Sequence, residues 1–219
     1  MHLIASCLTI ALLSLHVFGF PSASFDSRTR WPRCANITGA TPDQGACGWC
    51  WALTSVLTVA SRMCIKEAEE AAYPSLDAAI ACDGVCGDCA GGSAACALVE
   101  WTRSGTPLSS DPLRSPSSSS CVRGHQLERI AIFHRDPDGV ARSIYSQGPC
   151  LVNVDAICRH DDDNCEPLPA RHFVRILGWT AQGTWLVANT WGDGWGDRGT
   201  YQTMSGFGKI DETVYCPIV

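Results

Sequence analysis

Positive charge is scarce in this chain. Over 219 residues, 16 Lys and Arg stand against 22 Asp and Glu, giving a formal charge of −6 and an isoelectric point near 5.4. Nucleic acid is therefore not an expected partner, because phosphate binding needs a basic face. Charge of either sign is low at 17%, while hydrophobic residues reach 46%. A disordered chain shows the reverse balance. After Phe20 no apolar run is long enough to cross a bilayer, so no membrane span is expected once the N-terminus is removed. The length fits one large domain or two small ones.

Cysteine, by contrast, is plentiful. Fourteen cysteines exceed what a reducing cytosol usually tolerates and point to an oxidising compartment. The N-terminus agrees. Leu3 to Phe20 is interrupted only by Ser6, Thr9, Ser14 and His16, and Gly19, Ser22 and Ala23 are small. This predicts a signal peptide over 1–19, with cleavage as late as 23, and a secreted or lysosomal/vacuolar destination. No Lys or Arg precedes the apolar run, so an uncleaved anchor is the alternative. Loss of Cys7 with the signal leaves an odd number of cysteines, so one thiol is either an intermolecular link or a reactive group. Asn36-Ile37-Thr38 is an N-glycosylation sequon, expected on a surface loop.

Along the chain, Phe25 to Gln44 reads as irregular because of Pro32, Gly39 and Pro42. Cys50 to Met63 has almost no polar face and predicts a buried helix. Shorter helices are expected over Leu76–Ala81, Ala94–Arg103 and Val140–Ser146, with a Cys/Gly-rich loop at Cys82–Gly92 and a Ser/Pro-rich loop at 109–120. Gln126–Phe133, Cys150–Ala156, Phe173–Trp179, Trp185–Asn189 and Gly199–Met204 read as strands. Helices concentrate in the first half and strands in the second. The fold class is α+β in two lobes with a cleft between them.

The informative stretch is Gln44-Gly45-Ala46-Cys47-Gly48-Trp49-Cys50-Trp51-Ala52. Cys50 lies where an irregular segment enters the buried helix, and a helix N-terminus stabilises a thiolate. Such a nucleophile needs an imidazole that later protonates the leaving amine, and donors for the carbonyl oxygen as it gains charge. Two other readings remain at this point: Cys47 and Cys50 as scaffold disulfide cysteines, or a C-x-x-C redox pair lacking its βαβ context. His160 with Asp161, Asp162 and Asp163 resembles a metal site only superficially. Consecutive residues seldom converge on one ion, so a solvated acidic turn is expected, with no metal and no cofactor.

The stretch around Cys50 resembles the nucleophile motif of papain-like cysteine peptidases, and more closely of the cathepsin B-like group. Further motifs follow in the same order. Ser24-Phe25-Asp26-Ser27-Arg28 with Trp31-Pro32 resembles the start of the mature enzyme, and Cys82–Gly92 its cysteine-rich loop. Trp101-Thr102-Arg103-Ser104-Gly105 resembles a helix end, and Gly148-Pro149 the start of the β lobe. His172 through Trp179 and Trp185 through Gly196 resemble the histidine and asparagine motifs.

The resemblance implies a papain-like two-lobed peptidase domain over 24–219, with a helical lobe about 24–125 and a β-rich lobe about 126–219. It implies an endopeptidase in which Cys50 is the nucleophile, His172 the general acid/base, Asn189 the residue that orients the imidazole, and Gln44 an oxyanion donor. Trp191 would cover the His–Asn bond. Gly48, Gly91, Gly92, Phe173 and Thr213, with Trp191, would contact substrate. Cys47 would pair with Cys89 and Cys34 with Cys64, leaving Cys50 free. Cys82–Cys86 and Cys158–Cys165 are attractive local pairs, although spacing does not fix connectivity. Peptide or protein substrates and cystatin-type inhibitors are the implied partners, and the state a monomer.

Several positions depart from the family. Trp49 stands where a small residue is usual, and Phe173 replaces a small residue lining the S2 subsite. Thr213 aligns near the acidic residue at the base of that subsite, so a basic P2 side chain loses its counter-charge. The stretch between Gly105 and Ile144 is shorter and lacks the His-His pair of the segment that receives a substrate C-terminus. Little sequence separates the signal from the mature-like start, where an inhibitory propeptide is usual. A secreted binding protein with a closed cleft is the alternative function, and a plain disulfide-stabilised module a third.

Overall fold

The structure is a computed structural model that describes residues 23–67, 73–74, 76–81, 84–105, 108–109, 124–158 and 165–219. The signal segment, the Ser/Pro-rich loop, His160 with its acidic neighbours, Cys82 and Cys121 lie outside those residues.

The chain opens with β1 (Phe25–Asp26), α1 (Ser27–Arg30), a 3₁₀ turn (Pro32–Cys34) and α2 (Ala35–Thr38). These short helices replace the irregular segment expected there. The Asp26 carboxylate accepts from the Arg28 amide at 2.8 Å to cap α1, and Pro32 occupies the first turn of the 3₁₀ segment. Both are ordinary helix-start devices. Asn36 is exposed, but on α2 rather than in a loop, and Thr38 of its sequon is buried.

The long helix α3 (Cys50–Glu67) is buried from Cys50 to Cys64. No Gly or Pro interrupts it, and three of its four small hydroxyls bond back to the helix's own carbonyls, while the buried Thr58 hydroxyl has no hydrogen-bond partner among the described residues. Thr54 donates to the Cys50 carbonyl at 2.6 Å, Ser55 to Trp51 at 2.7 Å and Ser61 to Leu57 at 2.7 Å. Such back-bonds let polar residues sit inside an apolar surround. Around α3 lie β2 (Tyr73–Pro74), α4 (Leu76–Ala81), the ribbon of β3 (Gly87–Asp88) and β4 (Gly91–Gly92), α5 (Ala94–Ser104) and β5 (Leu108–Ser109). Trp51, Val56, Leu98 and Trp101 form the centre of this first core.

The second half supplies β6 (Arg129–His134), α6 (Pro137–Gln147), β7 (Cys150–Cys158), β8 (Cys165–Trp179), β9 (Thr184–Ala188), β10 (Thr200–Met204) and β11 (Thr213–Ile218). A second 3₁₀ turn covers Phe207–Lys209. The strands form one antiparallel sheet in the order β10-β9-β8-β7-β11-β6, and β1 adds to β8. Gly178 permits that addition, because a methyl group there would overlap the Phe25 carbonyl. Val152, Val174, Ile176 and Val187 with α6 residues Val140 and Ile144 make the second core. Leu151 and Phe173 belong instead to the first core, as does the C-terminal Val219. The two lobes therefore share residues across their boundary. This is the expected α+β fold in two lobes.

Disulfides Cys34–Cys64 and Cys47–Cys89 are as the resemblance implies. The Cys82–Cys86 pairing is corrected: Cys86 is bonded to Cys96 on α5. Cys86 lies just before β3, so the first turn of α5 falls within its reach. Cys150 pairs with Cys216 across neighbouring strands β7 and β11. Cys158 stands opposite Cys165 in the β7–β8 register. Among the described residues no helix is long and apolar enough to cross a membrane.

Candidate active site

Cys50 is the first residue of α3, where helix N–H groups lack intrahelical partners. It is also the free cysteine of the described residues and is buried, with 7% exposure. Burial pushes its thiol pKa up, while the backbone amides of Phe173, Trp51 and Cys50 itself pull it down. The Phe173 amide thus brings the residue after His172 against the nucleophile. Both belong to one packed cluster.

His172 lies inside β8, opposite Val154 of β7. Its Nε2 and the Asn189 Oδ1 are 2.7 Å apart in a buried hydrogen bond, which leaves Nδ1 outside that bond. Asn189 Oδ1 also accepts from the Thr190 amide at 2.8 Å, fixing the side chain in place. Trp191 stacks on His172 with ring centres 4.8 Å apart, and Trp195 braces it edge-on at 5.2 Å. Burial pulls the His172 pKa down, and the Asn189 bond opposes that by raising it. Desolvation therefore favours thiol and neutral imidazole, whereas the amides and Asn189 favour thiolate and imidazolium.

Gln44 arrives on the segment before α3. Its amide hydrogen donates to the Thr190 carbonyl at 2.9 Å. Its side-chain Nε2 donates to the Cys47 carbonyl at 2.8 Å, and its Oε1 accepts from the Thr190 hydroxyl. A carboxamide nitrogen has two hydrogens, so one remains for a substrate oxygen. Sequence reasoning passes over Thr190. The signal was its position between Asn189 and Trp191, with a hydroxyl that a buried turn must satisfy.

The expected substrate-contact residues divide. Gly48 donates its amide to the Cys89 carbonyl at 2.7 Å and lies close beside Gly91. Gly91 has φ +129° and open space where a side chain would project. Gly92 packs on Trp51, where a Cβ would come within 2.5 Å of the indole. Phe173 is buried in the first core rather than standing free in the cleft. Trp49 likewise packs against that core. Thr213 is half-buried on β11, opposite His134 of β6, and its Oγ1 lies 3.1 Å from His134 Nδ1.

These features brought together a thiol at a helix start, a carboxamide-held imidazole and a spare amide donor. Comparison with known proteins gives the same reading. The profile of papain family cysteine proteases matches residues 21–218. The gut-specific cysteine proteinase of Caenorhabditis elegans is 28% identical over 230 residues, covering 84% of this chain and 69% of that protein. A cathepsin B-like cysteine proteinase of Schistosoma japonicum is 25% identical over 239 residues, covering 84% and 68%. In fold, procathepsin B S9 of Trypanosoma congolense superposes with a TM-score of 0.72 at 21% identity, covering 90% of this chain and 77% of that one. With nearly its whole length matched, the chain belongs to the papain family of cysteine proteases, and peptides or proteins are its substrates.

Proposed function

We propose that the protein is an exported cysteine endopeptidase in which Cys50 attacks the scissile carbonyl and His172 manages the proton. The observation that carries this reading is the short His172–Asn189 bond beneath Trp191, beside a free Cys50 at a helix start. One proton is shared between Cys50 sulfur and His172 Nδ1. As the C–S bond forms, the carbonyl oxygen takes negative charge and receives hydrogen bonds from the Cys50 amide and the spare Gln44 N–H. His172 then protonates the leaving amine, and water attacks the thioester to release the acid and restore the thiol.

Substrate contacts follow from the open space beside Gly91. Phe173 and Thr213 offer no negative charge, which favours small or medium apolar P2 residues over Arg. Four described disulfides favour an oxidising compartment, either extracellular or lysosomal. Signal cleavage near Gly19 would keep the Ala23 carbonyl that accepts from the Trp179 indole at 2.9 Å. Asn36 would receive its glycan before Thr38 becomes buried.

Treatment with an irreversible peptidyl epoxide, followed by mass mapping, tests the reading. Stoichiometric modification at Cys50, lost in His172→Ala, is the expected result. Folded protein that stays unmodified would favour the binding-protein alternative.

A further inference from the structure

We propose that Arg175 is a positioning residue that sets the oxyanion-side segment against the His172–Asn189 pair. The inference rests on the proposed role of Cys50 and Gln44. Arg175 lies three residues after His172 on β8 and pairs in register with Ala188, the neighbour of Asn189. Its side chain is fully buried and reaches out of the sheet toward the first lobe. There Nη1 donates to the Thr38 carbonyl at 3.1 Å and approaches that of Ile37 at 3.5 Å, while Nη2 donates to the Ala40 carbonyl.

Those carbonyls close α2 and start the run Thr41-Pro42-Asp43-Gln44. The run is held at its other end by the turn of Thr190, Trp191 and Gly192 that follows β9. The Gly192 amide donates to Pro42 at 3.2 Å, Asp43 bridges Trp191, and Gln44 exchanges backbone and side-chain bonds with Thr190. A closed circuit results, from His172 to Arg175 on β8, across to Ala40, along to Gln44, and back through Thr190 and Asn189. Arg175 is the one side chain in that circuit that ties β8 directly to α2's exit. Without it, the run loses its tie to β8 and keeps the Thr41 hydroxyl's bond to the Arg198 carbonyl and the bonds of Pro42, Asp43 and Gln44 to Thr190, Trp191, Gly192 and Cys47.

The choice of residue has a physical reason. The C-terminal carbonyls of a helix lack intrahelical donors and carry partial negative charge, which suits a guanidinium with its fixed fork of donors. Burial, with Arg28 adding to it, lowers the Arg175 pKa to about 9, which still leaves it charged at neutral pH. Arg62 supplies an internal comparison. It is also fully buried and crosses between lobes, from α3 to the carbonyls of Gly148, Pro149 and Pro217, but it touches neither Gln44 nor its segment.

The test uses two reagents on Arg175→Met, Arg175→Lys and Arg62→Met. A small haloacetamide alkylates the Cys50 sulfur with loss of halide and creates no oxyanion. A peptide aldehyde adds the Cys50 S–H across its C=O and leaves an oxygen that the Gln44 donor must bind. In Arg175→Met, aldehyde affinity and kcat should fall on the order of 10- to 100-fold, reaching the loss expected for roughly 1 Å of misplacement. Alkylation rate and KM should stay close to wild type, and Arg175→Lys should recover part of the loss.

Arg62→Met should lower thermal stability without changing the ratio of aldehyde affinity to alkylation rate. An unchanged ratio in folded Arg175→Met, or an equal shift in Arg62→Met, overturns the proposal. Should Arg175→Met not fold, Arg175→Lys decides by the same ratio. A wild-type protein that reacts with neither reagent overturns the Cys50 reading itself.

Discussion

Replacing Asn189 with Ala should produce a signature that a general loss of stability would not. The bond from His172 to Asn189 is 2.7 Å long and buried, and it strengthens when the imidazole becomes a cation. A hydrogen bond to a charged group contributes about 1.5–3 kcal/mol, and each 1.4 kcal/mol is tenfold in rate. Loss of kcat/KM by about 10- to 100-fold is expected. Trp191 still stacks on the ring, so the loss should stop short of that in His172→Ala.

The direction in pH follows from the opposed influences on His172. Burial lowers its pKa and the Asn189 bond raises it, so removal of Asn189 lowers it further. The acid limb of kcat/KM reports protonation of the imidazole and should move to lower pH even as the plateau drops. Initial rates on a fluorogenic peptide between pH 3 and 10 would show it. An unmoved or raised acid limb, with an intact plateau, would refute the role given to this bond.

Cys50→Ala and His172→Ala should each remove peptide hydrolysis while far-ultraviolet circular dichroism stays native, and residual wild-type turnover in Cys50→Ala would sink the mechanism. Gln44→Ala should slow acylation by about 10²–10³-fold, the usual scale for one oxyanion donor, and pre-steady-state thioester formation measures this directly. The wild-type pH profile should be a broad bell, because burial lowers the His172 pKa and raises the Cys50 pKa, so both limbs move outward. A bell narrower than the interval between free imidazole and free thiol would contradict those shifts. Phe173→Leu should widen acceptance of larger apolar P2 residues in a peptide library, whereas Phe173→Ala should destabilise by about 3–5 kcal/mol as a buried aromatic truncation.

Much of the site was legible because its chemistry leaves local marks. The Cys50 motif, the His172 run and the Asn189-Thr190-Trp191 turn each combine a reactive side chain with glycines or aromatics that few other structures require. The helix over Cys50–Met63 was equally plain, since an apolar surface on all sides has one stable home. Long-range pairings were less legible. Cys86 has Cys82 nearby in sequence, yet Cys96 on α5 is its partner, and spacing alone ranks the nearer cysteine first. Phe173 presents a related difficulty. Its strand neighbour Val174 faces the second core, and only the alternation of β8 places Phe173 in the first. The short helices at Ser27–Thr38 were hidden by Pro32 and Gly39, which break long helices but start and end short ones.

The division of the site between lobes raises the question of what keeps an open cleft in register. Cys50 belongs to the helix of one core and His172 to the sheet that carries the other, so a small relative slide would part them. The chain answers with crossings in both directions. β1 leaves the first lobe to pair with β8, and Val219 leaves the sheet to pack in the first core. Arg62 and Arg175 add a reciprocal pair of buried cations, each inserted among the other lobe's carbonyls. Neither faces a carboxylate in its hydrogen-bond shell, and burial lowers both to about 9. An apolar contact of equal area would hold the lobes together but would tolerate sliding, since hydrophobic burial is non-directional. A guanidinium bonded to several carbonyls fixes position and angle together. Directional bonding of that kind suits a reaction whose nucleophile and base must meet within hydrogen-bond reach across a boundary.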